Sequence, residues 1–371
     1  MGRDNVTGSS NEEMKLLAVG LMSGTSFDGI DAAIVETDGD RSVRPISFHL
    51  ESYKPDFVNS LRAVLGRKNR NADVDKVERN LTLLHAEAVE KLLAKSDVSA
   101  DAVDIIGFHG HTIHHEPHKH FTWQIGDGAL LAERSGIDVV SDFRSADVAN
   151  GGEGAPFAPI FHKALLRGQK FPTAVLNIGG VANVTFIGNG DKLIAFDTGP
   201  GNALIDDWAY RNAGKPMDRD GALAEVGTID QAILWQLLDN PYFERQPPKS
   251  LDRNDFDPAP VKPLLLEDGA ATLTRFSVES IAMSRMHFPE NPKLWFVCGG
   301  GRHNVALMTE LRDLLGVTVE PIEAIGWDGD AIEAQAFAFL ACRTLRGMPI
   351  SFPETTGVAT PQVGGILYKA A

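Results

Sequence analysis

The amino-acid sequence predicts an α/β protein of two domains. Three observations support this prediction: the chain has 371 residues, strand-like and helix-like segments alternate along it, and an apolar hairpin with a glycine turn opens each half. Chains of this length usually divide into domains of roughly 100–200 residues. Alternating strands and helices are typical of α/β folds.

The composition excludes several classes of function. The formal net charge is −15, so we do not expect binding to nucleic acid or to an anionic membrane through general electrostatic attraction. No apolar run reaches the roughly 18–20 residues that span a bilayer. The two cysteines, Cys298 and Cys342, fit neither a disulfide framework nor a metal site. Residues 1–13 are polar and are expected to form a flexible tail, and the protein is expected to be cytoplasmic.

The first predicted element is a strand that ends in a small-residue turn and is followed by a second strand. The turn contains Gly24, Thr25 and Ser26. Backbone N–H groups and hydroxyls in such a turn suit the oxygens of a phosphate. A hairpin that needs glycine for a positive φ explains the same residues without a ligand, and this segment alone leaves both interpretations open.

The rest of the first half alternates strand and helix patterns up to a glycine-rich break. In order, the pattern predicts a strand over 42–52, a helix over 74–96, a strand over 101–108, a helix over 128–136 and a strand over 137–141. The break at 149–156 marks the expected domain boundary. We therefore predict an N-terminal domain over 14–150, completed by the C-terminal tail 347–371, and a C-terminal domain over 151–346.

The second half repeats the opening plan. The pattern predicts helices over 157–166, 202–212, 229–238, 272–286, 304–315 and 331–346, a hairpin over 173–187, a loop or small lobe over 241–263, and a strand over 294–297. The hairpin has Gly179 and Gly180 in its turn. About half the ordered chain separates this turn from Gly24, which predicts an internal duplication.

A third glycine turn, Gly299–Gly301, lies between a predicted strand and a predicted helix. Glycine there lets a flat ring or a ribose approach the backbone, although tight helix–strand packing explains it at least as well. Two phosphate hairpins and such a turn resemble the plan of the actin/Hsp70/hexokinase ATPase superfamily. That resemblance implies two duplicated ribonuclease-H-like domains with ATP bound in the cleft between them.

Within this superfamily the sequence is similar to the anhydro-N-acetylmuramic acid kinases. The resemblance is carried by motifs in the order of that family: Gly20-Leu21-Met22-Ser23-Gly24-Thr25-Ser26-Phe27-Asp28-Gly29-Ile30-Asp31, His109-Gly110-His111-Thr112, Gln124-Ile125-Gly126, Asp142-Phe143-Arg144, Gly151-Gly152-Glu153-Gly154-Ala155-Pro156, Leu176-Asn177-Ile178-Gly179-Gly180, Phe196-Asp197-Thr198-Gly199-Pro200-Gly201-Asn202, Asp218-Arg219-Asp220-Gly221 and Cys298-Gly299-Gly300-Gly301. Each motif is weak alone, but the ordered set is specific.

The resemblance implies an ATP-dependent enzyme of cell-wall recycling. Such an enzyme opens the 1,6-anhydro bridge of its amino sugar with water and phosphorylates O6, which gives N-acetylmuramic acid 6-phosphate and ADP. Mg²⁺ accompanies the ATP. A homodimer is also implied, for which no feature of this sequence gives a sign.

Asp197 is the predicted catalytic base, because the family's catalytic aspartate falls at this position. A general base typically contributes ~10²–10⁴-fold in rate. The local sequence equally allows Asp197 to cap the helix that begins near Asn202, or to hold Mg²⁺ through water.

The predicted ATP-binding residues are those of the three glycine turns: Gly24, Thr25, Ser26, Phe27, Asp28, Gly29, Ile30, Asp31, Asn177, Gly179, Gly180, Gly299, Gly300 and Gly301. Asp28 is also the candidate for holding Mg²⁺ through water, since Mg²⁺ keeps several waters in proteins, and Asp31 is a weaker candidate. A turn aspartate that bonds its own backbone is the competing interpretation of Asp28.

The predicted sugar-binding residues are His109, Thr112, Asp142, Arg144, Gly199, Gly201 and Asn202. Arginine suits bidentate recognition of a carboxylate, so Arg144 is assigned to the lactyl carboxylate of the sugar, or alternatively to an acid of the chain itself. The segment 109–120 holds six histidines. No metalloprotease spacing is present, so we expect a solvated loop there, with His114, His115, His118 and His120 on the surface.

Two residues depart from the family's pattern near the expected sugar site. His111 stands where glutamine is expected, and Glu153 stands where an amide is common. Two alternative functions remain open: an ordinary hexose or N-acetylhexosamine kinase on the same fold, and an actin- or Hsp70-like ATPase that binds protein partners.

Overall fold

The computed structural model describes residues 14–24, 27–251 and 255–371. Within these residues the architecture is mixed α/β and contains two separate sheets, which confirms the predicted α/β class. The strands are β1 Leu16–Ser23, β2 Gly29–Thr37, β3 Val43–Ser52, β4 Ile105–Glu116, β5 Phe121–Ile125, β6 Val139–Ser141, β7 Thr173–Ile178, β8 Val181–Ile187, β9 Leu193–Pro200, β10 Leu294–Cys298, β11 Thr318–Pro321 and β12 Ile366–Tyr368.

The helices frame these sheets. They are α1 Pro55–Val64, α2 Ala72–Ser96, α3 Gly128–Ser135, α4 Ser145–Ala149, α5 Ala158–Leu165, α6 Ala203–Ala213, α7 Ala222–Val226, α8 Gln231–Leu238, α9 Leu266–Met283, α10 Val305–Leu315, α11 Ile332–Leu345 and α12 Pro353–Thr356. Local signals set several ends: Asn71 caps α2 by accepting from Val74 N at 2.9 Å, and Gly136 ends α3 with a left-handed φ of 69°.

The first sheet has the order β12-β6-β4-β1-β2-β3, with β5 paired to β4. β1, β2 and β3 form an antiparallel meander. β4 runs parallel to β1, and β6 runs parallel to β4. The C-terminal strand β12 pairs antiparallel with β6, so the end of the chain returns to the sheet that its beginning forms.

The second sheet has the order β11-β10-β7-β8-β9. β7, β8 and β9 form an antiparallel meander, while β10 and β11 continue the sheet in parallel beyond β7. The strands β3-β2-β1-β4-β6 of the first sheet therefore correspond in order and direction to β9-β8-β7-β10-β11 of the second.

Helix α11 lies against the first sheet and contacts β1, β2 and β4. Glycine in the strands permits this close approach: a Cβ on Gly20 would collide with the Ala334 carbonyl, and one on Gly107 would collide with the Phe337 carbonyl. Side chains of α5 and α11 form one buried cluster with residues from both sheets. Separate clusters cover the outer face of the first sheet, under α2 and α3, and that of the second, under α6, α9 and α10.

The segment 109–120 is not the solvated loop that was predicted. β4 continues through it to Glu116 and pairs with β5. Ile113 is buried among α1, α2 and β5, which explains why the strand continues. His115, His118 and His120 are exposed as predicted, but His114 is half-buried and its ring bonds Glu116 at 2.8 Å.

Two further differences concern the second half of the chain. Asp197 lies within β9 and not at the start of α6, where it could have capped that helix. The strand extends this far because Pro200 is tolerated at the end of an edge strand. Helix α9 begins six residues earlier than predicted, at 266 rather than 272.

None of the helices in the described part of the chain combines the length and apolar character that crossing a bilayer requires. The domain bounds and the tail over 1–13 stay predictions, and the tail lies outside the described residues.

Candidate active site

The first predicted phosphate turn lies between β1 and β2. The carbonyl of Gly24 accepts from Phe27 N at 3.3 Å, and Phe27 has a left-handed φ of 62°. Thr25 and Ser26, the predicted hydroxyl donors, lie outside the described residues. The described part of this turn is therefore a tight loop that follows directly from β1.

Packing accounts for two of the residues predicted to bind ATP. A Cβ on Gly29 would collide with the Glu51 carbonyl of the neighbouring strand. The side chain of Ile30 is fully buried in the core of the first sheet. These two residues shape the strand after the turn, and the Ile30 side chain is not available to a ligand.

Negative charge is concentrated beside this turn. Burial is the main reason that the pKa of Asp31 rises to about 8, and Asp28, Glu333, Asp330 and Asp328 raise it further in that order. Carboxylates that suppress each other's ionisation favour binding of a cation, which would relieve their repulsion.

The second turn joins β7 to β8 and packs on the start of α6. The carbonyl of Gly179 accepts from Asn202 N at 2.8 Å, and that of Gly180 accepts from Gly201 N at 2.9 Å and from Ala203 N at 3.2 Å. The turn and the helix N-terminus are thus tied together through their backbones.

The third turn, Gly299–Gly301, lies against the second. Gly299 has a left-handed φ of 75°, and a Cβ there would lie 2.8 Å from the carbonyl oxygen of Ile178. A Cβ on Gly301 would lie 2.5 Å from Cβ of the same isoleucine, whereas one on Gly300 would meet nothing within 4 Å. Packing explains the outer two glycines, and only Gly300 borders open space.

Asp197 is held at the edge of the second sheet by a neighbouring segment. Its Oδ2 accepts from Leu251 N at 2.8 Å, and its own N–H donates to Lys249 O at 3.1 Å. The hydroxyl of Tyr242 donates to the backbone carbonyl of Asp197 at 2.5 Å. These three contacts fix both the backbone and the carboxylate. Asp197 is therefore not a cap of α6, whose N-terminus has no side-chain cap.

The environment of Asp197 favours a near-neutral pKa. Burial raises the pKa of Asp197 to about 7, with further increases from Glu153 and Asp255 and opposing effects from the Leu251 N–H and Arg144. A base is most effective when its pKa lies near the working pH. A carboxylate with this pKa is able to accept a proton near neutral pH.

Arg144 and His109 form a pair in the N-terminal half of the chain. Nε2 of His109 accepts from Arg144 Nε at 3.0 Å and from Arg144 Nη2 at 2.9 Å, and its Nδ1 donates to the Gly110 carbonyl at 2.9 Å. Burial, and then the adjacent guanidinium, hold the pKa of His109 well below its usual value. The neutral imidazole thus orients Arg144, whose Nη1 donates to Gly154 O at 2.5 Å.

The structure connects four of the predicted residues, Asp31, Arg144, Asn177 and Asp197, through charged and polar side chains. Asp197 and Glu333 both lie close enough to Arg144 to affect its protonation. Glu333, at the start of α11, accepts from Asn177 Nδ2 at 3.3 Å and also affects Asp31. Charged side chains therefore connect the acidic turn, the second sheet and Arg144 in one region between the sheets.

The remaining predicted sugar residues have mainly structural partners. Thr112 Oγ1 accepts from Gln124 Nε2 at 3.2 Å, and Asp142 has a left-handed φ of 56°. A Cβ on Gly199 would collide with Ser280, and one on Gly201 with the backbone of the second turn. Close packing explains both glycines.

Sequence reasoning missed the segment that supports Asp197. Leu251, Lys249 and Tyr242 belong to the stretch 241–263, which was interpreted only as a loop or lobe. Most of its contacts to Asp197 run through the backbone, so no side-chain pattern marks them. Glu333 was missed because it is a lone acid at the start of an otherwise apolar helix.

The chain is similar to known proteins over nearly its whole length. The family model for anhydro-N-acetylmuramic acid kinase matches residues 16–370. The anhydro-N-acetylmuramic acid kinase of Rhizorhabdus wittichii is 51% identical over 362 residues, which cover 96% of this chain and 99% of that protein. That of Rhodospirillum rubrum is 52% identical over 357 residues, which cover 95% and 94% respectively. A solved ROK family glucokinase from Streptomyces griseus is similar with a TM-score of 0.42 and 15% identity, over 88% of this chain and 99% of that one.

Proposed function

Because the chain belongs to the anhydro-N-acetylmuramic acid kinase family, we propose that Asp197 is the general base of that family's reaction in this protein. The protein is an ATP-dependent kinase. It opens 1,6-anhydro-N-acetylmuramic acid with water and phosphorylates O6, and the products are N-acetylmuramic acid 6-phosphate and ADP. The match over nearly the whole chain does not favour an ordinary hexose kinase or a protein-binding ATPase.

The proposed chemistry begins at the Asp197 carboxylate. It accepts a proton from a water molecule while the water oxygen bonds to C1 of the sugar. The C1–O6 bond breaks, and its electron pair stays on O6. That oxygen attacks the γ-phosphorus of ATP, the bond from phosphorus to the β-γ bridging oxygen breaks, and ADP leaves. The observation that carries this proposal is a rigidly held carboxylate whose pKa lies at about 7.

ATP fits the region where the glycine turns meet. The same strand order in both sheets supports two duplicated ribonuclease-H-like domains with ATP between them. Gly24 and the hydroxyls of Thr25 and Ser26 would meet the phosphates, and the open side of Gly300 would meet the nucleoside. In phosphoryl transfer such residues act chiefly by positioning and by stabilising charge.

Mg²⁺ fits the acidic group around Asp31. Burial is the main reason that the pKa of this residue is raised and its acidic neighbours raise it further, so a nearby cation would stabilise the ionised carboxylate. Among the described residues, no three His, Cys, Asp or Glu side chains are arranged to hold a metal together. Asp28 and Asp31 would therefore hold the ion through its waters, as Mg²⁺ commonly permits. When bound with ATP, the ion offsets phosphate charge. A homodimer stays a prediction from the resemblance, and a cytoplasmic location stays a prediction from the composition.

The isotopic origin of the C1 oxygen tests this function directly. We expect a reaction in H₂¹⁸O to place one ¹⁸O at C1 of the phosphorylated sugar, because water opens the ring. ADP release should depend on the anhydro sugar. A phosphorylated product without ¹⁸O at C1, formed before any exchange at the anomeric position, would contradict the proposed role of water.

Replacing Gly300 by Val is expected to weaken ATP binding about ten-fold with little change in stability. A Cβ here meets no protein atom within 4 Å, so we expect the fold to accommodate the side chain while the ligand loses space. Calorimetric titration with ATP measures the affinity, and thermal unfolding measures the stability. An unchanged ATP affinity would remove this turn from the nucleotide site. The ten-fold figure corresponds to about 1.4 kcal/mol.

Replacing Arg144 by Lys is expected to raise KM for the anhydro sugar about ten-fold, because a lysine lacks the planar fork that binds a carboxylate. An inhibitor without the lactyl group, 1,6-anhydro-N-acetylglucosamine, should lose little affinity. Arg134→Lys, at an exposed site on α3, is the matched control. Equal losses for both sugars would place Arg144 in a structural role.

A further inference from the structure

Two carboxylates are held side by side by consecutive residues. The Ser250 hydroxyl donates to Glu153 Oε2 at 2.8 Å, and the next residue, Leu251, donates its N–H to Asp197 Oδ2 at 2.8 Å. One short segment thus joins an acid that follows α4 to the proposed base on β9. The mechanism proposed above assigns no task to Glu153.

The backbone around Glu153 is fixed. Its N–H donates to Thr356 O at 2.6 Å, and its carbonyl accepts from His115 Nε2 at 3.0 Å. The next residue, Gly154, donates its N–H to the buried Asp147 carboxylate at 2.7 Å. The Glu153 side chain therefore extends from a rigid base, and its charge has a defined place relative to Asp197.

Other charged and titratable groups also surround Asp197. Arg144, from the N-terminal half of the chain, favours the ionised form of Asp197, while Asp255 opposes ionisation from the segment that follows Leu251. Tyr242 directs its hydroxyl to the backbone of Asp197. The Lys249 ammonium points to the carbonyls of Tyr242 and Phe243, at 3.1 and 3.3 Å, and to His287 Nε2 at 3.3 Å. Among these groups, Glu153 is the acid that is linked to Asp197 through the hydrogen bonds of the adjacent residues Ser250 and Leu251.

We propose that Glu153 is a positioning residue that sets the pH range over which Asp197 is ionised. This inference rests on the proposed role of Asp197 as the base. A nearby negative charge disfavours a second one, so Glu153 shifts proton release from Asp197 to higher pH. The base must be ionised to accept a proton, so activity rises as the pH rises through the pKa of Asp197. Glu153 shifts this increase in activity to higher pH.

The test is the pH profile of kcat/KM for Glu153→Gln. Glutamine keeps the shape and an oxygen that accepts from Ser250, but it removes the charge. We expect the acid limb of the profile to move about one unit to lower pH. Relative to the plateau, the rate at pH 6 should rise about five-fold, following the larger ionised fraction of Asp197. All assays use saturating Mg-ATP, so the ionisation of ATP affects the pH profile of every variant in the same way.

Two further variants control the comparison. Glu153→Asp keeps the charge on a shorter arm and should return the acid limb to within a few tenths of a unit of the parent. Glu87→Gln removes an exposed acid from α2 and should leave the profile unchanged. Thermal unfolding and ATP binding confirm that each variant is folded.

The outcomes separate this inference from the function on which it rests. Superimposable profiles for the parent and Glu153→Gln would overturn the role of Glu153. A lower KM for the sugar at every pH, without movement of the acid limb, would also overturn it, because the charge would then act on the substrate's carboxylate. Full activity of Asp197→Asn would instead remove the base itself.

Discussion

Replacing Asp197 by Asn is expected to lower kcat at least ~10²-fold, as for the loss of a general base. Asparagine retains an oxygen that accepts from Leu251 N, so the segment at the edge of β9 stays in place. It cannot take a proton from water, however, and C1 is then attacked by a poorer nucleophile. Coupled measurement of ADP release gives kcat, and calorimetry should show ATP affinity close to that of the parent.

The control for this substitution is Asp101→Asn, which changes the same chemistry at an exposed position before β4. It should retain full turnover. Turnover of Asp197→Asn within a few-fold of the parent would assign the base to another group. Loss of ATP binding together with turnover would indicate a structural role for Asp197 rather than a chemical one.

Replacing Gly20 by Ala is expected to destabilise the protein by about 3 kcal/mol or more, at the upper end of the cost of overpacking. The new Cβ would collide with the Ala334 carbonyl and lie 2.5 Å from Ala338 N. Both partners are backbone atoms of α11, so relief requires the helix to move off the sheet. The midpoint of urea unfolding measures the loss.

Gly300→Ala provides the matched glycine control for stability. Its Cβ meets nothing within 4 Å, so the free energy of unfolding should change by no more than about 0.5 kcal/mol. A Gly20→Ala midpoint equal to that of the parent would mean that α11 and β1 are not packed as closely as described.

The elements that could be predicted from sequence are those with a strong local signal. The two hairpins have apolar alternation on both sides of a glycine turn, and each appears as expected at β1–β2 and β7–β8. Helix α10 begins after Asn304, whose side chain accepts from Leu307 N at 3.0 Å. Periodicity and caps specify such segments without information from distant parts of the chain.

The elements that were missed depend on distant partners. Strand β9 contains glycine and proline, and only its place at the edge of the second sheet makes them acceptable there. β4 extends through a histidine-rich stretch because β5 pairs with it.

In the candidate site, too, local motifs predict some features, while others depend on distant parts of the chain. Arg144 was expected to meet a substrate or an acid, and within the chain its guanidinium donates to the neutral ring of His109 on β4. Positions of site residues could be predicted from motifs, but their hydrogen-bond partners could not.

The position of α11 has a consequence for how the newly made chain acquires its structure. The first sheet is assembled from residues that are synthesised early, but the helix that covers its inner face, 332–345, and its last strand, 366–368, are synthesised at the end. Apolar side chains of β1 and β4, such as Ala18 and Ile105, therefore stay uncovered by native partners while nearly all the rest of the chain emerges from the ribosome. The N-terminal half is expected to depend on chaperones until translation finishes, and a fragment that stops near residue 150 should aggregate rather than fold.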